Sequence, residues 1–228
     1  MALRFICKYC VFVIIPFSIA SCTLVDTDKL NSSKSILEKI IELDKNSKEQ
    51  KPIINITKEM VDYIEYPLIE VKSNGIIRQL LMIPLSTRNN TRYFSSGSGQ
   101  SLSITGALVT KTKGINVELI SVETEDNSPL IKNTLITKWP NKSSRTYMFS
   151  NPYFKIKSIN FICERGKAVQ EKIKISYEEL ILFKIKEQCK SNMISFINKY
   201  WINNSGEIKK SVQWVSPDNI YLDINVLK

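Results

Sequence analysis

The chemistry open to this chain is limited first by its composition, since none of its 228 residues is a histidine. Without an imidazole there is no Ser-His-Asp or Cys-His nucleophile and no imidazole ligand for a metal ion. The Gly/Ser-rich stretch Ser95–Ser103 lacks the lysine and the following helix of a phosphate-binding loop. We therefore predict a plain loop there, and we expect no cofactor and no metal site.

Carboxylates remain as candidate catalytic groups, because glycoside hydrolysis needs only two of them about 5–9 Å apart. The acids are densest at Glu118, Glu123, Glu125 and Asp126. Glu123 and Glu125 share one strand face if the strand runs that far. Asp126, however, opens a D-N-S-P turn signal, and acids beside a turn are usually solvated. A carbohydrate-active enzyme using these acids is the alternative prediction, and a protein without catalytic activity is the preferred one.

Cys22 closes the segment I-A-S-C, which resembles a bacterial lipobox, the signal at which a cysteine is acylated before the leader is cleaved. Arg4 and Lys8 give a basic start, and residues 10–20 are an apolar middle, as in a secretory signal peptide. This run is too short to cross a bilayer as a helix, which takes about 20 residues. We predict that residues 1–21 are removed and that lipid on Cys22 holds the mature chain to a membrane. The alternative is an ordinary cleaved signal with a cysteine nearby by chance.

The other four cysteines fall into two pairs. Cys7 and Cys10 have the C-x-x-C spacing of metal or redox sites, but both lie in the predicted leader. Cys163 and Cys189 form an even pair in a compartment where disulfides persist. We predict a disulfide between them, and two buried free thiols are the alternative.

Aromatic residues are the better candidates for a binding site, because sugars stack on such rings. The predicted contacts with a glycan or a partner are Tyr200, Trp201, Ser211, Gln213 and Trp214. In strands, however, aromatic residues more often form the core or cross-strand pairs, and Trp201 and Trp214 fit such a pair across a hairpin. The Gln213 amide and the Ser211 hydroxyl share one strand face, where they meet either sugar hydroxyls or neighbouring backbone.

Hydrophobic periodicity predicts one short helix followed by many strands. Residues 22–35 are a polar tether, and apolar residues from Ile36 to Leu43 recur at helical spacing. After Pro52, an Asn-Gly hairpin signal at 74–75 separates two strands. The predicted strands before the C-terminal region are 67–71, 76–84, 102–108, 117–122, 145–149, 154–163 and 172–177. Residues 178–199 read as strand in their first half and as either strand or helix in their second.

The C-terminal region gives the clearest pattern. Residues 199–202 and 208–215 predict a hairpin whose turn ends at Gly206, and residues 220–226 predict a last strand. Many short strands at close spacing favour a single mainly-β domain, an antiparallel barrel or sandwich, over residues 36–228.

The charge balance indicates which kinds of molecule this domain is expected to bind. The formal net charge is +10, which favours anionic neighbours such as lipid head groups or acidic polysaccharide. Nucleic acid is excluded as a partner, because a secreted lipoprotein rarely meets it. The lysines are scattered along the sequence. A lysine-rich composition typical of the source's proteins therefore explains the positive charge as well as a binding patch does.

Two blocks of sequence carry a resemblance to a known family. The first block runs from Tyr66-Pro67 to the segment G-A-L-V-T-K-T-K-G-I at 106–115. The second joins N-K-Y-W-I at 198–202 to G-E-I-K-K-S-V-Q-W-V-S-P at 206–217. With the lipobox, these blocks resemble the group 4 capsule polysaccharide lipoprotein family, the YjbF/GfcB-like proteins. Residues 93–99 depart from the Trp-x-Ser-x-Asp kind of segment expected there.

The resemblance implies a mostly β, barrel-like envelope lipoprotein that works with capsule or exopolysaccharide export and has no assigned catalytic activity. Thr23 after Cys22, where Asp would signal inner-membrane retention, implies an outer-membrane location. We expect the lipid-anchored protein to face the periplasm. The partners would be the membrane, through the lipid, together with acidic polysaccharide or other export proteins. A structural envelope lipoprotein with no glycan role is a further alternative.

Overall fold

The computed structural model describes residues 55–74, 79–115, 118–124, 140–150 and 156–228. The predicted leader, the tether and the helix at 36–43 lie outside these ranges. Within them, the strands pair antiparallel throughout, and one short helix precedes them. The predicted mainly-β class is confirmed.

The elements are numbered along the chain. The helix α1 spans Lys58–Tyr63. The strands of the first half are β1 (Ile69–Ser73), β2 (Gln79–Arg88), β3 (Thr91–Ser95), β4 (Ser101–Thr105), β5 (Leu108–Lys113) and β6 (Glu118–Thr124). The strands of the second half are β7 (Lys142–Ser150), β8 (Ile156–Arg165), β9 (Val169–Ile175), β10 (Glu178–Lys190), β11 (Ser195–Ile202), β12 (Ile208–Ser216) and β13 (Ile220–Val226).

Twelve of these strands follow one path, β5-β4-β3-β2-β1-β13-β12-β11-β10-β8-β7-β6, and β9 pairs with β10 beside it. The two ends of the path, β5 and β6, are consecutive in sequence. They meet where the Leu119 backbone N–H donates to Thr112 Oγ1 at 3.0 Å. In the middle of the path, β1 pairs with β13, so that Ile69 lies opposite Val226. The result is a nearly closed barrel in which the first and last strands are neighbours.

Buried and exposed residues alternate along the strands, and the buried side chains fill the barrel. In β7, Arg145, Tyr147 and Phe149 are buried, and the residues between them are partly exposed. Successive residues of a strand point to opposite faces, so these buried positions define the inner face. The same alternation recurs at Glu187 and Cys189 in β10. The interior is therefore packed with side chains, most of them apolar or aromatic.

The helix α1 was not predicted, since the sequence after Pro52 reads as strands and turns. Thr57 caps it, with its Oγ1 accepting the Met60 backbone N–H at 3.4 Å. Its apolar contact is Val61, which packs with Leu68 in a small cluster beside the barrel. With six residues the helix has fewer than two turns, too few for a helical repeat to appear in the sequence.

Three sequence predictions about strands are corrected. The strand predicted at 102–108 is two strands, β4 and β5, because the chain reverses at Gly106, which has a φ of 56°. Strand β3 was missed, and the loop predicted at Ser95–Ser103 is only the short turn between β3 and β4, closed by Ser96 N–H donating to Gln100 O at 3.0 Å.

The remaining predicted strands overlap strands of the structure; residues 76–78, 117 and 154–155 of them lie outside the described ranges, and residues 176–177 form the turn between β9 and β10. The hairpin of β1 and β2 closes with Lys72 opposite Gln79, and the hairpin of β11 and β12 has Gly206 at a φ of 84° in its turn. The open region 178–199 is strand in both halves, as β10 and β11. Within the described residues, no helix has the length and apolar character needed to span a bilayer.

Candidate functional site

The five residues predicted to contact a glycan or a partner are all buried. The exposed fractions are 0% for Tyr200, 6% for Trp201, 3% for Ser211, 3% for Gln213 and 2% for Trp214. Their predicted contact with a glycan or partner stays a prediction, and it would require these side chains to become exposed. As folded here, they have structural roles.

Gln213 joins strand β12 to the start of β5. Its Nε2 donates to Ala107 O and to Ser211 Oγ, each at 3.0 Å, and its Oε1 accepts the Val109 backbone N–H at 3.0 Å. The sequence left open whether this amide meets sugar or backbone, and in the structure it meets backbone. It satisfies two buried main-chain groups that an apolar side chain would leave unpaired.

The two tryptophans do not form the predicted cross-strand pair. Trp201 lies opposite Lys210 in the ladder of β11 and β12, and its Nε1 donates to Glu171 Oε2 at 2.7 Å. Trp214 instead belongs to an aromatic cluster inside the barrel, where it stacks on Phe196 with ring centres 4.3 Å apart. Tyr147, Phe149 and Phe161 complete this cluster with edge-to-face contacts to Trp214.

A buried ion pair, which sequence reasoning missed, lies on the inner face of the barrel. Arg145 Nη1 donates to Glu187 Oε2 at 2.8 Å, and Arg145 Nη2 donates to the other carboxylate oxygen. Tyr200 Oη donates to Glu187 Oε2 at 3.4 Å, and Ser143 Oγ accepts from Arg145 Nη2 at 3.3 Å. Arg145 shares the alternating frame of Tyr147, and this was the available sequence signal that it points inward.

Burial and the Glu187 carboxylate set the protonation of this cluster. Burial alone would lower the pKa of Arg145, but Glu187 beside it raises that pKa above its ordinary value. Burial raises the pKa of Tyr200 well above its ordinary value and also raises that of Tyr147. At neutral pH, Arg145 is therefore a cation bound to Glu187, and both phenols keep their protons. Both carboxylate oxygens of Glu187 accept hydrogen bonds from Arg145 or Tyr200, so the cluster supports structure better than catalysis.

The cysteine pair lies next to this cluster. Cys163 and Cys189 are opposite each other in the ladder of β8 and β10, and a disulfide joins them. Their sulfurs and a Glu187 oxygen lie within 4.8 Å of one another, a spacing that suits metal ligands. Both sulfurs are used in the disulfide, however, and a thiolate is the form that binds metal. With Glu187 held by Arg145, this group does not fit a metal ion.

Two of the four acids of the enzyme alternative lie on β6. Glu118 and Glu123 are both exposed, while Glu125 and Asp126 lie outside the described residues. A bulge between Leu119 and Ser121 leaves Glu118 and Glu123 on the same outer face, opposite Ser150 and Thr146, and the two acids are separated by roughly 13 Å along β6. That separation exceeds the about 5–9 Å that glycoside hydrolysis requires, so these two residues do not form a catalytic pair.

A groove on the outer face of the barrel is the candidate site for ligand binding. It has a volume of about 710 Å³ and lies between β8, the end of β10 and the turn that follows β10. We call it the basic groove, and its lining includes Lys142, Lys157, Asn160, Ile162, Lys190 and Met193. A second groove of about 500 Å³ adjoins it at Gln188, which lines both.

Fold and site together define a small antiparallel barrel protein with a packed interior and a basic groove outside. Residues 37–227 match the family model described as Group 4 capsule polysaccharide lipoprotein gfcB, YjbF. This chain belongs to that family, which confirms the resemblance read from the two sequence blocks. It is therefore a capsule-related lipoprotein, and membership in a lipoprotein family indicates a membrane-anchored place in the cell envelope.

The barrel is also similar to a solved structure. The crystal structure of the hypothetical lipoprotein YmcC from Escherichia coli (K12) matches with a TM-score of 0.67, covering 76% of this chain and 89% of that chain. The sequence identity is 17%, so this likeness supports the fold alone. A comparison with curated proteins gives no match.

Proposed function

We propose that this protein is a non-catalytic outer-membrane lipoprotein that assists the export or assembly of capsule or exopolysaccharide. The observation that carries the proposal is the family match, which extends over residues 37–227 and so includes the whole described barrel. The packed interior is consistent with it, since the buried carboxylates of Glu70 and Glu187 are both held in ion pairs and hydrogen bonds. The barrel would act by contact with glycan or with other export proteins.

Lipid on Cys22 would supply the tether. Each buried methylene contributes roughly 0.8 kcal/mol, so a single acyl chain binds reversibly and two or more hold stably. A tethered barrel stays at high local concentration beside export machinery in the same membrane. In this proposal the lipid anchor lies in the outer membrane, as Thr23 after Cys22 implies, and the barrel faces the periplasm.

Deletion of the gene tests the role, and Cys22→Ala tests the tether. We expect deletion to lower surface polysaccharide, and complementation with Cys22→Ala to restore it poorly while releasing the protein into the soluble fraction. Cys10→Ser is the matched control, because that cysteine would be removed with the leader, and it should restore full output. Unchanged surface polysaccharide after deletion would contradict the proposed role.

The carbohydrate-active alternative is tested in the same background. A double variant, Glu123→Gln with Glu125→Gln, removes the two acids that sequence alternation places on one strand face. On the non-catalytic proposal this variant restores full polysaccharide output. A loss of output with normal protein level would favour the enzyme.

A further inference from the structure

The basic groove has an excess of positive charge that the described residues do not neutralise. Lys142 pairs with Glu164 at 3.6 Å, and both side chains are about two-thirds exposed, at 65% and 66%. Lys157 and Lys190 are exposed and form no ion pair with any residue in the described ranges. Two uncompensated ammonium groups on the walls of one groove favour an anionic ligand.

The polar lining of the groove suits carbohydrate. Asn160, Gln188 and Asn192 carry exposed amides, and an amide both donates and accepts hydrogen bonds, as a sugar hydroxyl does. Asn160 is held in place by Thr146, whose Oγ1 donates to Asn160 Oδ1 at 2.9 Å.

Apolar side chains complete the groove. Ile162 is 44% exposed and Met193 is 84% exposed, which gives a surface for the C–H faces of sugar rings. Lysines, amides and isolated apolar contacts in one concave surface match a carboxylated sugar better than they match a flat lipid surface, which would favour a protruding apolar patch.

The adjoining groove extends this surface across the barrel. It crosses β10 to β13 and adds Lys199, Ile197 and the ring of Tyr221. Because Gln188 lines both grooves, the two surfaces adjoin at that residue. Two contiguous grooves of this kind fit a linear polymer spanning several sugar units better than a single sugar.

We infer that the basic groove and its neighbour bind a segment of an acidic polysaccharide. The carboxylates of the glycan pair with Lys157 and Lys190, and the amides of Asn160 and Gln188 hydrogen-bond its hydroxyls. This inference rests on the proposed role in polysaccharide export and names both the ligand class and the surface that meets it. The contact lies outside the barrel, away from the aromatic residues that sequence patterns favoured.

The test measures binding of polygalacturonate, a carboxylated polymer, to the full lipidated protein in detergent micelles by calorimetry. Dextran of similar length is the neutral probe. The groove variant is Lys157→Gln with Lys190→Gln. The matched control is Lys172→Gln with Lys174→Gln, which removes the same charge from exposed positions of β9 outside both grooves.

We expect polygalacturonate to bind and dextran to bind far more weakly. The groove variant should weaken polygalacturonate binding at least about fivefold, and the control variant less than about twofold, because only the former loses local charge contacts. Equal weakening in both variants would mean a non-specific effect of net charge and would overturn the inference. No binding of polygalacturonate by the wild type would overturn it as well.

A lipid surface is the competing occupant, tested by partition of the protein between phosphatidylglycerol and phosphatidylcholine vesicles. If the groove variant loses the preference for anionic vesicles and keeps its polygalacturonate affinity, the groove binds lipid and the inference is overturned. Failure of the proposed function is a separate result, since it appears as unchanged surface polysaccharide on gene deletion. If deletion lowers surface polysaccharide but the groove variant binds polygalacturonate as tightly as the wild type, the inference alone is overturned.

Discussion

A single carboxylate, that of Glu187, holds the Arg145 guanidinium inside the barrel. This contact determines what the buried pair contributes to the free energy of unfolding. A guanidinium moved out of water loses several kcal/mol of solvation, and only a well-placed partner compensates for the loss. Glu187 supplies a two-point contact, with Tyr200 and Ser143 as further hydrogen-bonding groups. The pair is therefore stable together, and each member is costly when left alone.

Replacing one member of this pair should destabilise the protein strongly. We expect Arg145→Met or Glu187→Leu to lower the free energy of unfolding by about 3–5 kcal/mol, because each leaves an unpaired buried charge. The double variant should lose much less than the sum of the two losses. Urea titration of all four proteins measures the coupling. The exposed pair Lys172 and Glu179 is the control, with coupling below about 1 kcal/mol, and additive losses at Arg145 and Glu187 would contradict this account.

At the residue scale, sequence reasoning could not place the side chains of the aromatic candidates. Period-two alternation groups Tyr200 with Ile202, but it does not say which face of the strand is inside. Pairing across a hairpin depends on register, and the ladder shifts after Trp201 and again after Trp214. The cysteine pair was easier to predict, because redox compartment and an even count indicate a disulfide without any knowledge of the strands.

At the scale of elements, the contact between β12 and β5 depends on one side chain. Gln213 is on β12, and its amide pairs with the main chain of residues 107 and 109 at the start of β5. These two strands are not ladder neighbours, so the amide crosses the barrel interior. It gives the end strand of the path a fixed attachment.

Gln213→Leu should therefore loosen the end of the sheet. The variant keeps the side-chain size but leaves a buried N–H and a buried C=O unpaired, a cost of about 1–3 kcal/mol. We expect faster hydrogen exchange at Val109, measured by NMR or mass spectrometry, with little change in β10 and β11. Ser211→Ala removes only the neighbouring hydroxyl and serves as the control, with a smaller effect. Unchanged protection of Val109 would show that other contacts hold β5.

Element types were predictable from sequence where strands are regular and less so where they shift. In β10 the buried residues are Leu182, Ile185, Glu187 and Cys189, spaced by three and then by two. The shift falls where the partner of β10 changes from β9 to β8. This change in the spacing of buried residues resembles the spacing of a helix. It explains why the sequence of residues 178–199 did not distinguish strand from helix. By contrast, β13 pairs with β1 without a register shift, and the sequence predicted its full length.

For the molecule as a whole, the barrel depends on joining its first and last strands. Glu70 on β1 lies at this junction and is 1% exposed. Its Oε1 accepts from Gln79 Nε2 on β2 at 2.6 Å and pairs with Lys72 Nζ at 2.8 Å, while its Oε2 accepts from Asn225 Nδ2 on β13 at 2.8 Å. Burial alone would raise the pKa of Glu70, but these partners outweigh it and hold the pKa below its ordinary value. The charged form thus links three strands.

Protonation of Glu70 at low pH should destabilise the fold. A carboxyl whose pKa is lower folded than unfolded stabilises the fold above its unfolded pKa, and that stability is lost as pH falls through the folded pKa. We expect the free energy of unfolding to fall between about pH 5 and pH 3, and Glu70→Gln to flatten this dependence while lowering stability at pH 7. Urea titrations at several pH values measure it. Glu179→Gln, on an exposed carboxylate, should leave the pH dependence nearly unchanged. If Glu70→Gln retains the full acid slope, other carboxyls control the junction of β1, β2 and β13.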